Sequence, residues 1–284
     1  MRRGARPARP ARPTKPTSGR GASDRAIGIF DSGIGGLTVV RALLKLLPGE
    51  NFIYLGDTGR YPYGTKSADV VLRYSFENTE FLVDKGIKLL VVACNTSTAV
   101  SLDALQARYD VPVIGVIEPG AQAAARATRN RKVGVIATEG TIRSGQYTRA
   151  LRRVRSDLEI YTRACPLFVP LAEEGWVDNE VAQLAARTYL SSLAQSGIDA
   201  LILGCTHYPL LRAVIRDTIG RGVRLIDSGV VTAAAVGEVL GARGLRRSGR
   251  GGSGSYFVTD APERFMKVGA RFLGTPLDAV QIER

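Results

Sequence analysis

Three cysteines stand in the chain, Cys94, Cys165 and Cys205, and two of them share a setting that suits chemistry. Cys94 ends the apolar run Leu89–Ala93 and opens "CNTSTAV", while Cys205 follows Ala200–Leu203 in "ILGCTHYPLL". Each is succeeded by hydroxyl and amide side chains of the kind that cap a helix start. A thiol at such a start lies near unpaired N–H groups and the positive end of the helix dipole, which lower its pKa from about 8.5. One such cysteine would read as buried apolar filler. Two in matched contexts point to function, whereas Cys165, followed by Pro166, reads as structural.

Two facing thiols admit several chemistries. A disulfide is disfavoured by the polar strand ends and by the scarcity of cysteine, which suits a reducing compartment. A zinc site would need further ligands; His207 is the chain's one histidine, and its C-x-H spacing from Cys205 matches no common zinc pattern. A C-x-x-C redox centre is absent. A Cys205–His207 nucleophile pair leaves Cys94 without a role. Two-base proton transfer employs both thiols: a thiolate removes a proton from carbon while the opposing thiol delivers one to the other face, inverting the configuration.

Strands must hold these groups. Short β-branched runs at Ala26–Phe30, Phe52–Leu55, Leu89–Ala93, Val113–Val116, Val133–Ile136, Leu158–Tyr161, Ala200–Leu203, Val223–Ile226 and Tyr256–Thr259 alternate with helical apolar spacing, as in Leu37, Val40, Leu43, Leu44 and Leu47. Continuous apolar strands predict a mostly parallel sheet covered on both faces, with ligands beyond the strands' carboxyl ends. "IGIFDSG" from Ile27 aligns with "VGVIATEG" from Val133, and "LLVVACNT" with "ALILGCTH". The fold class expected is α/β, as two similar doubly wound parallel-sheet domains facing each other across an active-site cleft. The expected boundaries are a basic, disordered extension over 1–25, a first domain of 26–118 plus 228–284, and a second of 119–227.

The 284 residues carry 39 Lys+Arg against 26 Asp+Glu, a net charge of +13 that first suggests a polyanion binder. Its distribution does not. Residues 1–25 hold eight basic residues against Asp24 alone, and residues 241–255 hold four arginines and no acid, so the remaining body carries only +2. No apolar run approaches the ~18–20 residues that span a bilayer, and no apolar segment follows the basic N-terminus as a secretory signal requires. A cytoplasmic protein is expected, with no membrane association.

At this point a resemblance becomes specific. "IGIFDSGIGGLTVV", "YPYGTK", "VVACNTSTA", "PLFVPLAEEGW", "ILGCTHYPLL" and "IDSG" together resemble the glutamate racemases of the aspartate/glutamate racemase superfamily, from about residue 26 to the C-terminal end. The resemblance implies a cofactor-independent isomerase that interconverts L- and D-glutamate and supplies D-glutamate for peptidoglycan. It also implies a homodimer, and it leaves room for the basic tails to contact nucleic acid or gyrase. Nothing resembles a pyridoxal lysine site, since Lys66 is the only lysine within the strand-end motifs.

Carried over by motif, the resemblance has Cys94 exchange the proton on the D-glutamate side and Cys205 on the L side. Asp31 and Ser32 of "FDSG" would position substrate and tune Cys94, and Tyr63 and Gly64 of "YPYG" would contact substrate. Asn95, Thr96, Thr206 and His207 would hold the α-carboxylate and amino group, with His207 as auxiliary acid or base. Glu173 or Glu174 of "LAEEG" matches the family carboxylate near the second thiol, with Glu173 preferred and either able to be a surface acid instead. Thr138, at the strand end equivalent to Ser32 in the repeat, is a further substrate contact. "DSGIGG" lacks the third glycine of a dinucleotide loop; its backbone N–H groups are expected to approach a carboxylate at a helix start. Residues 1–25 and the Arg/Gly/Ser stretch 243–255 depart from the family pattern, as does Thr259 where glycine often precedes the aspartate.

Overall fold

In the computed structural model, residues 21–249, 251–277 and 280–282 are described; the basic extension expected over 1–25 therefore lies mostly outside the described residues. Among the described residues ten strands form two all-parallel sheets. They are β1 (Ile27–Asp31), β2 (Phe52–Gly56), β3 (Leu89–Val92), β4 (Val113–Gly115), β5 (Lys132–Ala137), β6 (Glu159–Ala164), β7 (Ala200–Gly204), β8 (Arg224–Asp227), β9 (Gly254–Val258) and β10 (Val280–Gln281). The first sheet runs β10-β9-β2-β1-β3-β4 and the second β6-β5-β7-β8.

The central strands are buried on both faces: every residue of β1, β3 and β7 is inaccessible, which is what their uninterrupted apolar sequences require. Nine of the ten strands coincide with the β-branched runs to within a few residues. The two-residue β10, which pairs with β9, carries too little sequence for periodicity to reveal it. β6 is an edge strand with no fully buried residue, and it runs to Ala164 because Lys132–Ala137 pair with Glu159–Ala164 in register.

The repeat read in the sequence is a repeat of topology. The order β2-β1-β3-β4 in the first sheet recurs as β6-β5-β7-β8 in the second. In both, the chain leaves the first strand to one side and returns to the other, so a crevice opens between the carboxyl ends of β1 and β3 and again between those of β5 and β7. Asp31 and Cys94 stand at the first crevice, Thr138 and Cys205 at the second. Helix Pro262–Leu273 follows β9 and carries side chains from the first sheet's side toward the second crevice.

Candidate active site

Cys94 caps helix Asn95–Arg108, its sulfur accepting the Ser97 N–H at 3.5 Å while its thiol donates toward Ser32 Oγ at 3.7 Å. The helix start does not produce the expected drop in acidity. Complete burial pushes the Cys94 thiol up to about 12, the charge of Asp31 adds to the rise, and the Ser97 and Ser32 hydrogen bonds offset only part of it. Desolvation outweighs the dipole, and Cys94 rests as the protonated thiol.

Cys205 also departs from the expectation of a helix start. A turn follows it, then a 3-10 segment at Tyr208–Leu211, and the α-helix begins only at Arg212. Pro209 has no N–H to return to Cys205, so the chain tightens to i→i+3 bonds, Tyr208 N–H to Cys205 O at 3.2 Å and Leu210 N–H to His207 O at 3.1 Å. This turn folds His207 back on the thiol, with Nδ1 3.8 Å from Cys205 Sγ and Nε2 3.2 Å from Glu173 Oε1. Burial alone would lower the imidazole, but the hydrogen bonds and charges of Cys205 and Glu173 outweigh it and carry His207 up to about 10. Glu173 moves the opposite way: burial opposes its charge, yet His207, Tyr61 and Arg264 together hold it below the usual carboxylate range. The doubly protonated imidazolium then donates one N–H toward each partner.

One cavity of about 320 Å³ joins the two crevices, and both Cys94 and Cys205 line it. Every expected site residue lines it except Asp31, which sits behind Cys94 at 1 % exposure. The carboxyl of Asp31 is pushed up by its burial, against the pull of His207 and of the Gly33 and Gly36 N–H groups. Those glycine donors are therefore committed to Asp31 itself, with Gly33 N 3.0 Å from Oδ2, rather than to an incoming carboxylate. Oδ1 of Asp31 is buried without a hydrogen-bond partner. Gly35 is needed for a different reason: a Cβ there would run into Thr206 Oγ1 and the His207 ring. The same close approach brings Thr38 Oγ1 to the Thr206 carbonyl at 2.9 Å.

Polar groups from both sheets ring the cavity. Thr96, Thr138 and Thr141 form a triangle of hydroxyls 3.0–3.1 Å apart, tying the helix after Cys94 to the short helix Glu139–Ser144 after β5. Asn95 Oδ1 accepts from Tyr147 at 2.7 Å, which leaves its buried Nδ2 donor without a partner. The Tyr63 hydroxyl is bonded to Asp57 and accepts from Asn78 at 3.0 Å, so Tyr63 offers the cavity its ring rather than its oxygen. Glu174 is 62 % exposed on its side chain, against 8 % for Glu173, so Glu173 is the one that faces the cavity.

Sequence reasoning did not find Tyr61, Thr141 or Arg264. Tyr61 lines the cavity and stacks on His207 with ring centroids 6.3 Å apart; "YPYGTK" contained it, without a signal to separate it from Tyr63. Cys165 is buried in the hydrophobic core, where its carbonyl accepts from Tyr208 at 2.8 Å. All three thiols are free. Among the described residues no three His, Cys, Asp or Glu side chains are arranged to hold a metal ion, and no helix is long and apolar enough to cross a membrane.

Comparison with known proteins agrees with this geometry. The Asp/Glu/hydantoin racemase family profile matches residues 38–236. The glutamate racemase of Geobacter metallireducens is 59% identical over 257 residues, covering 90% of this chain and 95% of the relative. Among solved structures, a glutamate racemase from Bacillus anthracis superposes with a TM-score of 0.90 at 38% identity, over 92% of this chain and 98% of that one. The glutamate racemase of Francisella tularensis, solved in complex with D-glutamate, superposes at 0.87 with 37% identity and the same coverage.

Proposed function

The chain belongs to the Asp/Glu/hydantoin racemase family, among its glutamate racemases, and from that premise we propose that it interconverts L- and D-glutamate by proton transfer between Cys94 and Cys205. The observation that carries the mechanism is the pair of buried thiols, one from each sheet, lining a single cavity. In the L-to-D direction Cys205, as thiolate, takes the α-proton and becomes a thiol. The electron pair left on the α-carbon then takes a proton from the Cys94 thiol on the opposite face, and Cys94 becomes the thiolate. Charge is conserved and the configuration inverts. D-to-L conversion runs the same steps backward.

An amino acid's α-proton is far less acidic than a thiol, so the site must stabilise the developing carbanion. The buried cavity, the His207 cation and the unpartnered Asn95 Nδ2 donor are the available means. Asn95, Thr96, Thr138 and Thr206 would hold the substrate's polar ends, Ser32 and Asp31 would set the proton on Cys94, and the His207–Glu173 pair would do so for Cys205. The D-glutamate product suits peptidoglycan stem peptides, made in the cytoplasm.

Incubating L-glutamate with the protein in D2O tests this directly. Optical rotation should decay to zero as deuterium enters Cα. Cys94→Ser and Cys205→Ser should each abolish racemisation, since a hydroxyl is a far weaker acid than a thiol. Full activity in either variant would overturn the two-thiol scheme.

A further inference from the structure

Glu173 is held from outside its own sheet. Helix Pro262–Leu273, which follows β9 of the first sheet, sends two arginines to it: Arg264 Nη2 lies 3.2 Å from Glu173 Oε2, and Arg271 Nη2 donates to the Glu173 carbonyl at 2.9 Å. The carboxylate is therefore bridged, Oε1 to His207 and Oε2 to Arg264. The Arg264 side chain is 57% exposed, and a small cavity of about 100 Å³, separate from the one between the thiols, lies between Arg264, Glu173 and Tyr61. An ion pair so open to water contributes little to folding. A charge-assisted hydrogen bond that fixes which oxygen meets a histidine has a local effect out of proportion to that.

We propose that Arg264 is a positioning residue: by holding Oε2 of Glu173 it turns Oε1 onto His207 and so sets the imidazolium that faces Cys205. This rests on the two-thiol assignment above. The Cys94 side has no counterpart. Its neighbours are Ser32, the Ser97 N–H and the buried Asp31, none of which touches the C-terminal helix's arginines. Arg264 thus acts on one thiol of the two. The charged and titratable groups facing Glu173 are His207 from the turn after β7, Tyr61 from the loop after β2, Arg264 and Arg271 from the C-terminal helix, and, through its charge, Asp31. The Arg264 side chain is more than half exposed. It can be replaced without opening the core.

The test compares the full-length wild type with Arg264→Gln and Arg264→Lys, reading the two thiols separately by iodoacetamide alkylation and peptide mapping. In Arg264→Gln, Glu173 loses its outer partner and His207 holds its second proton less firmly. Alkylation of Cys205 at neutral pH should slow about tenfold, the scale of one charge-assisted hydrogen bond, while Cys94 in the same sample keeps its wild-type rate. Arg264→Lys should restore most of the difference. Racemisation by Arg264→Gln should fall by a similar factor, and the pH above which activity is lost should move down. Unchanged Cys205 alkylation in Arg264→Gln, or equal slowing at both thiols, would overturn the proposal. The alkylation does not depend on glutamate turnover. Failure of the wild type to racemise glutamate would instead count against the function proposed above.

Discussion

At the scale of single residues the site is asymmetric. One thiol is paired with a cation and the other with a buried carboxyl. Cys94 is driven to about 12 by burial and by Asp31, and rests with its proton; Cys205 faces His207, held up to about 10. In the free protein Cys94 already holds the proton that the proposed L-to-D step would deliver. His207 also leaves a mark on stability. Its folded pKa lies above the ordinary 6.5, so its contribution is complete below pH 6.5 and fades as pH rises toward 10. Glu173, whose pKa is lowered, acts on the acid side and stays out of that window. The unfolding free energy of the wild type from urea titrations should therefore fall between pH 6.5 and 8.5, by at most about 1.4 kcal/mol per pH unit. His207→Gln should be less stable at pH 6.5 but nearly flat across the same interval. Parallel slopes in the two proteins would mean that His207 is not the titrating group.

At the scale of elements, the sequence made the thiols and the strands that carry them legible, because strand ends and apolar runs are local. What escaped it is non-local. Arg264 meets Glu173 across 91 positions and Thr141 meets Thr96 across 45, and neither contact leaves a periodic trace. The helix dipole was a sound local inference that complete burial overrode at Cys94. Pro209 altered the element after Cys205, and with it the placement of His207. Gly35 shows how closely the elements meet, since Thr206 and His207 occupy the space a side chain would take. Gly35→Ala should cost about 1–3 kcal/mol by overpacking and cut activity at least tenfold, by pushing the His207 turn away. Gly222→Ala, with open space around its Cα, is the control and should change neither. Thermal melts and turnover on the two variants decide it; equal activities would show that the turn yields without consequence.

At the scale of the whole molecule, chemistry and anchorage occupy opposite ends of the first sheet. The site lies beyond the carboxyl ends of the strands. At their amino ends Lys88, just before β3, is buried in an ion pair with Glu50, just before β2. The Lys88 ammonium also donates to the carbonyls of Ser23 at 2.6 Å and Leu245 at 2.9 Å, and Glu50 accepts the Arg247 N–H at 2.8 Å. The described ends of the two segments that hold the excess charge, at Ser23 and at Leu245–Arg247, are thus rooted on one buried pair, about 20 Å and six residues along the chain from Cys94. Breaking such a pair leaves one charge buried without a partner, a loss of about 3–5 kcal/mol, whereas replacing both members with apolar residues recovers much of it. Lys88→Met should accordingly lower the melting temperature sharply, and Lys88→Met combined with Glu50→Leu should melt nearer the wild type. Because the strand between is rigid and buried, kcat per folded molecule at 25 °C should stay within about twofold of wild type in both. A kcat that fell with the melting temperature would mean that strain passes along β3 to Cys94, and that the basic segments' anchorage reaches the thiol.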